Sequence, residues 1–199
     1  MRDDTARSGQ SDDKQQVILT AAMEAFAQYG YRRVSMDEIA KRAGMSRAAL
    51  YLHFRNKDDI FSTGVELYFA HVGQLMSRVL SEESDPVRAL TAAFAAKVAP
   101  PYDMLMNSPH GEELLDLKTT AAAGAVVDGE AALITIIAGW LEAGQGAGTL
   151  SLEDYGTAED AARTILSAVH GVVLSARHYH VMRADLDRLA RLIGRSLRP

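Results

Sequence analysis

Apolar residues recur along most of the chain at every third or fourth position, which is the spacing of one face of an α-helix. The first such stripe predicts a helix from about Asp13 to Tyr29, and Gly30 stands where the chain must leave that helix. Runs that alternate apolar and polar residues between turn signals, as strands do, are nearly absent. The pattern therefore predicts an all-α fold of about nine helices.

Helix start signals crowd into the segment that follows. Ser35 and Glu38 have the spacing of a capping box, and they predict a short second helix that Gly44 ends after about two turns. Ser46 is the expected N-cap of a third short helix over residues 47–53. Two short helices separated by a glycine turn are the sequence pattern of a helix-turn-helix.

Longer helices are predicted in the rest of the chain. Asn56 is the expected cap of a helix that begins at Lys57 and runs to about Leu80, and Asp85 with Pro86 opens the next one. The stretch 102–111 is expected to be irregular or a short helix. The helix that Asp85 and Pro86 open is predicted over about 87–99, and the remaining helices over about 112–123, 126–143, 158–179 and 185–197.

These elements predict three segments. Residues 1–12 are polar and of mixed charge, without the apolar stretch of a signal peptide, so we expect a disordered leader. Residues 13–60 form the predicted three-helix head with the helix-turn-helix, and 61–199 form a larger helical body. No run approaches the roughly 18 consecutive apolar residues of a membrane helix.

Composition indicates the cellular compartment, and the distribution of charge indicates a candidate binding face. The chain has no cysteine, which excludes disulfides and thiolate sites and favours a reducing cytoplasm. Its net charge is −5, yet the segment 32–57 holds seven basic and two acidic residues. A basic patch in an acidic chain indicates a face that binds phosphate, although a charged helix surface turned to solvent would have the same composition.

The predicted third helix has side chains suited to the major groove. Arg47 can pair with guanine through two hydrogen bonds or with a phosphate, and Ala48 and Ala49 let the backbone approach thymine methyl groups. Hydrogen bonds to phosphate oxygens are expected from Tyr51, His53 and Lys57. The alternative for the tyrosine and the histidine is packing inside the head.

Residues from about Val17 to Phe61 resemble the N-terminal domain of the TetR/AcrR family of transcriptional regulators. The matching positions are Ala22, Phe26, Gly30, Tyr31, Ile39, Ala40, Ala43, Gly44, Ser46, Leu50, Tyr51, His53, Phe54, Asn56 and Lys57. The resemblance implies a homodimer that places two recognition helices in successive major grooves of a double-stranded operator. It further implies that a small-molecule effector in the body changes their separation.

DNA contacts are carried over from the family residue by residue. The expected positions are Ser35, Ser46, Arg47, Ala48, Ala49, Tyr51, Leu52, His53 and Lys57. Two residues depart from the family pattern, because Val34 stands where threonine is frequent and Met36 where a polar phosphate contact is frequent. Ser35 is then left to make that contact alone. Because the two alanines offer no hydrogen bonds, base readout should depend on Arg47 and on DNA shape.

The last two predicted helices are more apolar than a surface pair should be. Small residues at helical spacing, from Thr164 to Ser175, suit a close approach of helices. The resemblance makes these two helices the dimer interface, and the alternative is an ordinary monomer core. The expected interface residues are Ile165, Ala168, Val169, Gly171, Val172, Ser175, Leu189 and Ile193.

A sensor pocket in the body should be mostly apolar with a few polar groups. The candidate lining residues are Phe69, Met76, Phe94, Tyr102, Met104, Met106, Ile137 and Trp140, and each of them suits an ordinary core as well. No metal site is expected, since His178 and His180 would lie on different faces of one helix. No catalytic arrangement stands out, and no cofactor is expected.

The sequence thus predicts a cytoplasmic, DNA-binding transcriptional regulator and not an enzyme. The main hypothesis is a homodimeric repressor that a small apolar or amphipathic effector releases from a palindromic operator. One alternative is a regulator without a small-molecule effector, either constitutive or controlled by a protein. A different class of alternative is a helical ligand-binding protein or enzyme that carries a helix-turn-helix head.

Overall fold

The computed structural model describes residues 4–98, 102–115 and 122–199, and these ranges contain ten helices and no strand. The all-α prediction is confirmed. In order, the helices are α1 (Asp4–Tyr29), α2 (Met36–Arg42), α3 (Arg47–Tyr51), α4 (Lys57–Glu82), α5 (Pro86–Val98), α6 (Tyr102–Met106), α7 (Gly111–Leu115), α8 (Ala123–Gly146), α9 (Ala158–Ser175) and α10 (Tyr179–Ser196).

The short helices near the N-terminus begin at the predicted caps. The Ser35 side chain accepts a hydrogen bond from the Glu38 amide, and the Glu38 carboxylate accepts one from the Ser35 amide at 2.7 Å, which completes the capping box. Ser46 Oγ accepts from the Ala49 amide at 3.1 Å. Asn56 Oδ1 accepts from the Asp59 amide at 2.8 Å at the start of α4. Each cap satisfies amide groups that a helix leaves unpaired at its N-terminus.

Two predicted boundaries were wrong. Helix α1 begins at Asp4 instead of about Asp13, so residues 4–12 are helical where a disordered leader was expected, and residues 1–3 lie outside the described residues. The segment contains no proline that would break the helix. The last two helices are divided near Ala176, which has an extended backbone at φ −80° and ψ 130°. Apolar spacing continues across this break, and periodicity alone therefore could not detect it.

The helices group into two compact units. The first contains the residues up to Leu67 and the described part of Asn107–Val126, and in it α2 packs on α1 and α3 while α7 packs on α1. Packing thus groups residues 61–67 and this second stretch with the head, although the sequence assigned both to the body. The functional boundary near residue 60 stays a prediction. The core of this unit is built on Ile18, Phe26, Ile39, Leu50 and Phe61.

The second unit contains Tyr68–Met106 and Val127–Pro199 in their described parts. In it α10 packs along α5 and also contacts α6 and α9. Its largest fully buried side chains are Met76, Leu90, Phe94, Leu133 and Ile137. This unit contains the residues that the sequence proposed for a ligand pocket and a dimer interface.

Helix α8 is the one helix among the described residues whose length and composition would suit a membrane span. Its residues Leu133, Ile137 and Leu141 are buried in the second unit. An apolar core helix passes the same test of length and hydropathy, so this feature carries little weight.

Candidate nucleic-acid interface

The turn between α2 and α3 fixes the orientation of the short third helix. Gly44 adopts φ +68°, in the left-handed region that glycine enters without strain, and the Met45 amide donates to the Ala40 carbonyl at 3.0 Å. Leu50 on the inner side of α3 is fully buried, and Phe54 just beyond the helix is 3% exposed. With this inner side anchored, the opposite side of α3 faces outward.

The outward side of α3 carries two rows of side chains spaced four residues apart. Arg47 and Tyr51 form one row, in which the Arg47 side chain is 63% exposed and Tyr51 is 43% exposed. Ala48 and Leu52 form the other row, and Leu52 is 86% exposed. An exposed leucine beside an alanine offers methyl groups to a partner, next to the hydrogen-bonding row. This face matches what a major groove requires, namely donors for base edges and apolar groups for thymine methyls.

Arg47 is held by two neighbours. Its Nη1 donates to Asp37 Oδ2 at 3.0 Å, and its guanidinium carbon lies 5.4 Å from the centroid of the Tyr51 ring. A hydrogen bond with Tyr51 and the charge of Asp37 both raise the pKa of Arg47, so the guanidinium stays charged. An ion pair this exposed is screened by water and contributes little to stability. A phosphate or a guanine can therefore replace Asp37 at little cost.

The aromatic side chains of this segment are placed differently from each other. Tyr51 is exposed, which disfavours the alternative that it packs inside the head. His53 and Ala49 are partly buried. Their contacts with DNA stay predictions.

The two N-cap serines differ in whether their hydroxyl proton is available to donate to a phosphate. Ser46 Oγ acts as an acceptor for the Ala49 amide, whereas a phosphate would need its hydroxyl proton, so the two roles are compatible. The Ser35 hydroxyl donates to Glu38 Oε2 at 2.9 Å within the capping box. Contact between Ser35 and a phosphate therefore requires exchange of that hydrogen bond.

Lys57 occupies a position that the sequence did not predict. Its Nζ donates to the carbonyl oxygens of Tyr31 at 2.8 Å, Arg32 at 3.2 Å and Val34 at 3.3 Å. It also lies 4.8 Å from the centroid of the Tyr31 ring. An ammonium group has three donors, and here all three have partners inside the protein. The geometry thus assigns Lys57 to the loop after α1 and disfavours the phosphate contact expected from the family.

The proposed ligand-pocket residues all belong to the second unit. Phe69, Met76, Phe94 and Ile137 are buried, Tyr102, Met106 and Trp140 are partly buried, and Met104 is 37% exposed. The sequence missed Lys97, which is 6% exposed and continues the buried stripe of α5. Its spacing of three and four residues from Phe94 and Ala93 is the signal that places it on that buried face.

The proposed interface residues separate into two faces of α9 and α10. Ile165 and Val169 are buried in the unit's own core, which corrects the expectation that they face a partner. Helix α9 turns that stripe inward, and Gly171 and Ser175 lie on its exposed side with Leu174. Ala168, Val172, Leu189 and Ile193 are partly buried. The exposed leucines Leu174 (64%) and Leu192 (71%) were missed because they fall outside the most regular apolar stripe.

The histidines do not assemble a metal site in the described part of the chain, where no group of three potential ligands occurs. His178 and His180 were expected on different faces of one helix, and this expectation was wrong. Their rings stack at 5.7 Å with an interplanar angle of 14°. The reason is that His178 lies in the extended backbone just before α10 and not within a helix.

Comparison with known proteins gives a consistent result. Residues 18–63 match the model of "Bacterial regulatory proteins, tetR family". The chain is 41% identical to the HTH-type transcriptional regulator AcrR of Shigella flexneri over 66 residues, which are 33% of this chain and 31% of AcrR. It is 33% identical to the HTH-type transcriptional activator FasR of Mycolicibacterium smegmatis over 114 residues, 52% of this chain and 46% of FasR. The chain thus aligns with less than half the length of either relative.

Similarity of structure extends further along the chain. The structure of SmeT, the repressor of the Stenotrophomonas maltophilia multidrug efflux pump SmeDEF, superposes with a TM-score of 0.66 and 24% identity. It covers 89% of this chain and 85% of SmeT. At this identity the similarity concerns the fold. The relatives and the fold neighbours described here are transcriptional regulators.

Proposed function

Because residues 18–63 match the model of the tetR family of bacterial regulatory proteins, we propose that the chain is a regulator of this family that binds a palindromic DNA operator as a homodimer and represses transcription. We further propose that a small apolar or amphipathic effector, bound in the second unit, releases the protein from the operator. The observation that carries the proposal is the exposed face of α3. This face presents the charged Arg47 beside the methyl groups of Ala48 and Leu52, and it follows the turn at Gly44.

Charge in the first unit supports DNA as the partner. The segment 32–57 carries a net charge of +5 within a chain of net charge −5. Phosphate contacts draw on such local charge, while base edges are read by a few side chains in the groove. Arg47 is proposed as the main base-reading residue, with Ala48 and Leu52 against thymine methyl groups. Tyr51 and Ser46 are proposed as phosphate contacts.

Exposed apolar side chains on α9 and α10 support the homodimer. Leu174 and Leu192 are more than half exposed, and Val181 is 38% exposed. Gly171 and Ser175 beside Leu174 leave room for a helix of a second copy to approach closely. A homodimer with its two-fold axis through this face would carry two copies of the recognition helix α3. Half-sites about 34–36 Å apart are then expected on one side of the DNA.

Repression and the cytoplasmic location complete the proposal. SmeT is a repressor and FasR is an activator, so the proteins similar to this chain include both kinds of regulator. Repression is proposed because release by an effector then suffices to switch transcription on. The cytoplasm is proposed because bacterial DNA lies there and because a chain without cysteine needs no oxidising compartment.

Selection from random DNA tests the proposal without knowledge of the operator. The full-length protein is mixed with a pool of random duplexes, and the bound fraction is amplified and sequenced over several rounds. The proposal predicts two inverted half-sites about one helical turn apart. An Arg88→Ala variant, which loses an exposed arginine of α5 paired with Glu83 and lies outside the proposed interface helices, should select the same sequence. Enrichment of no common sequence would contradict the proposal.

A further inference from the structure

A buried cluster of polar side chains lies within the second unit. Lys97 of α5 is the one buried charged side chain among the described residues. The Tyr68 hydroxyl donates to the Lys97 carbonyl oxygen at 2.5 Å and hydrogen-bonds with the Tyr102 hydroxyl. The Tyr68 and Tyr102 ring centroids are 6.2 Å apart. Three helices, α4, α5 and α6, thus bring two phenol groups to the backbone of Lys97, and the charge of Glu130 acts on both the Lys97 ammonium and the Tyr102 hydroxyl.

The ammonium group itself faces an aromatic wall. Lys97 Nζ lies 5.8 Å from the centroid of the Phe69 ring, which is 7% exposed. Phe69 packs so closely on α8 that a Cβ at Gly129 would lie 2.1 Å from its ring. A π-face attracts a cation but does not neutralise its charge. Phe69 therefore forms an apolar wall beside the Lys97 ammonium group without neutralising its charge.

The acid whose charge acts on Lys97 also pairs with another residue. Glu130 of α8 acts on Lys97 through its charge, but its Oε1 lies 3.4 Å from His170 Nδ1 of α9. Both of these side chains are 30% exposed, so this pair lies towards the edge of the unit. None of the ion pairs between described residues includes Lys97.

An ammonium group buried without an ion pair is unfavourable, and burial accordingly lowers the pKa of Lys97. The same desolvation strengthens its attraction to any anion that enters. A cationic ligand would meet repulsion from Lys97. A neutral ligand would leave the buried charge uncompensated. An anion with an apolar body satisfies both the charge and the apolar wall.

We propose that the effector is an amphipathic carboxylate whose anionic head pairs with Lys97 and accepts the hydrogen bond that the Tyr102 hydroxyl otherwise donates to Tyr68. Its apolar part packs on Phe69 and the other buried apolar residues of the second unit. This inference rests on the proposed function, because it names the chemical class of the effector that releases the DNA. Lys97 is thus the residue that selects effectors by charge.

Matched ligands of equal chain length test the inference directly. Decanoate, 1-decanol and decylamine are titrated into the full-length protein by calorimetry, with the fluorescence of the single tryptophan, Trp140, as a second readout. Decanoate should bind at least about 10-fold more tightly than decanol, since hydrogen bonds to charged groups add that much. Decylamine should bind most weakly. Naphthoate and naphthalenemethanol repeat the comparison with an aromatic body.

Two variants assign the preference to the cluster. Lys97→Met keeps the length and the apolar stem, and it should weaken decanoate binding about 10- to 100-fold while leaving decanol within about threefold. Tyr102→Phe should weaken decanoate binding by a smaller factor. Lys14→Met, which removes an exposed lysine of α1, is the matched control and should change nothing. Retained operator binding by each variant verifies that the chain is folded.

The outcomes separate this inference from the proposed function. If decanol and decanoate bind equally to the protein and to Lys97→Met, the inference is overturned while an effector-responsive regulator stands. If neither carboxylate binds, the inference is also overturned, and DNA selection still tests the regulator. If the carboxylates bind through Lys97 but no operator can be selected, the ligand site stands and the DNA-binding proposal fails.

Discussion

Arg47 Nη1 at the start of α3 lies 3.0 Å from Asp37 Oδ2 in α2, so the proposed base-reading arginine is paired within the protein in the absence of DNA. Both side chains are about 60% exposed, at 63% and 60%. The pair orients the guanidinium beside Tyr51 and is weak enough to be replaced by a base or a phosphate. The arginine is thus pre-oriented at small cost, and its contribution to binding can be measured.

Replacement of Arg47 by alanine should weaken binding to the selected operator by about 1–3 kcal/mol, because one bidentate base contact is lost. The base preference at the contacted position should relax as well. Competition binding with single-base variants of the operator measures both effects, and Arg88→Ala serves as the control. Loss of affinity that is uniform across all sequences would instead assign Arg47 to a phosphate.

Lys57→Met should destabilise the protein more than it affects DNA binding. The substitution leaves three carbonyl oxygens without the ammonium donor, and hydrogen bonds to a charged group contribute about 1.5–3 kcal/mol. Urea unfolding measures the change, and Lys41→Met, at an exposed lysine of α2, is the control. Unchanged stability with a shallower salt dependence of DNA binding would show that Lys57 contacts phosphate after all.

A charge on the exposed face of α9 should dissociate the proposed dimer. Leu174→Glu would place a carboxylate at the centre of the proposed interface, where an unpaired buried charge is strongly unfavourable. Sedimentation velocity should then report a monomer, and operator affinity should fall with it. Val127→Glu, at an α8 position that is 65% exposed, should remain dimeric. A dimer that persists in Leu174→Glu would place the interface on another face.

Stability should depend on pH through Lys97. Burial lowers its pKa in the folded protein, while the unfolded chain keeps the ordinary value of 10.5. Between these two pKa values the unfolded chain binds more protons, so the free energy of unfolding rises with pH and is lost again as pH falls. The wild type should therefore gain stability relative to Lys97→Met as pH approaches 10.5. A difference that is constant with pH would contradict a buried, desolvated ammonium group.

The caps and glycine turn of the first unit were predictable because their signals are local. Ser35, Ser46 and Asn56 each hydrogen-bond an amide three residues on, which depends only on sequence spacing. The role of Lys57 was not predictable, because its carbonyl partners lie more than 20 residues away. Only the packing of α4 beside the loop after α1 brings them together.

In the second unit the limits of prediction came from periodicity itself. The apolar stripe identified α9 and α10 but could not find the break near Ala176, since the spacing continues through it. The stripe also could not say which of two faces points inward, and so Ile165 and Val169 were assigned to a partner although they are buried in their own unit. Lys97 was missed because lysine is ordinarily exposed, and only its register with Phe94 places it inside.

Salt-dependent competition binding tests the central claim most directly. The full-length protein is titrated onto the selected palindrome and onto a scrambled duplex of equal composition, over a range of salt concentrations. Specific recognition by two α3 helices predicts a preference for the palindrome of at least about 1,000-fold that persists at physiological salt. Equal and weak binding to both duplexes, abolished by modest salt, would contradict the account, because it would reduce the basic segment to a nonspecific charged surface.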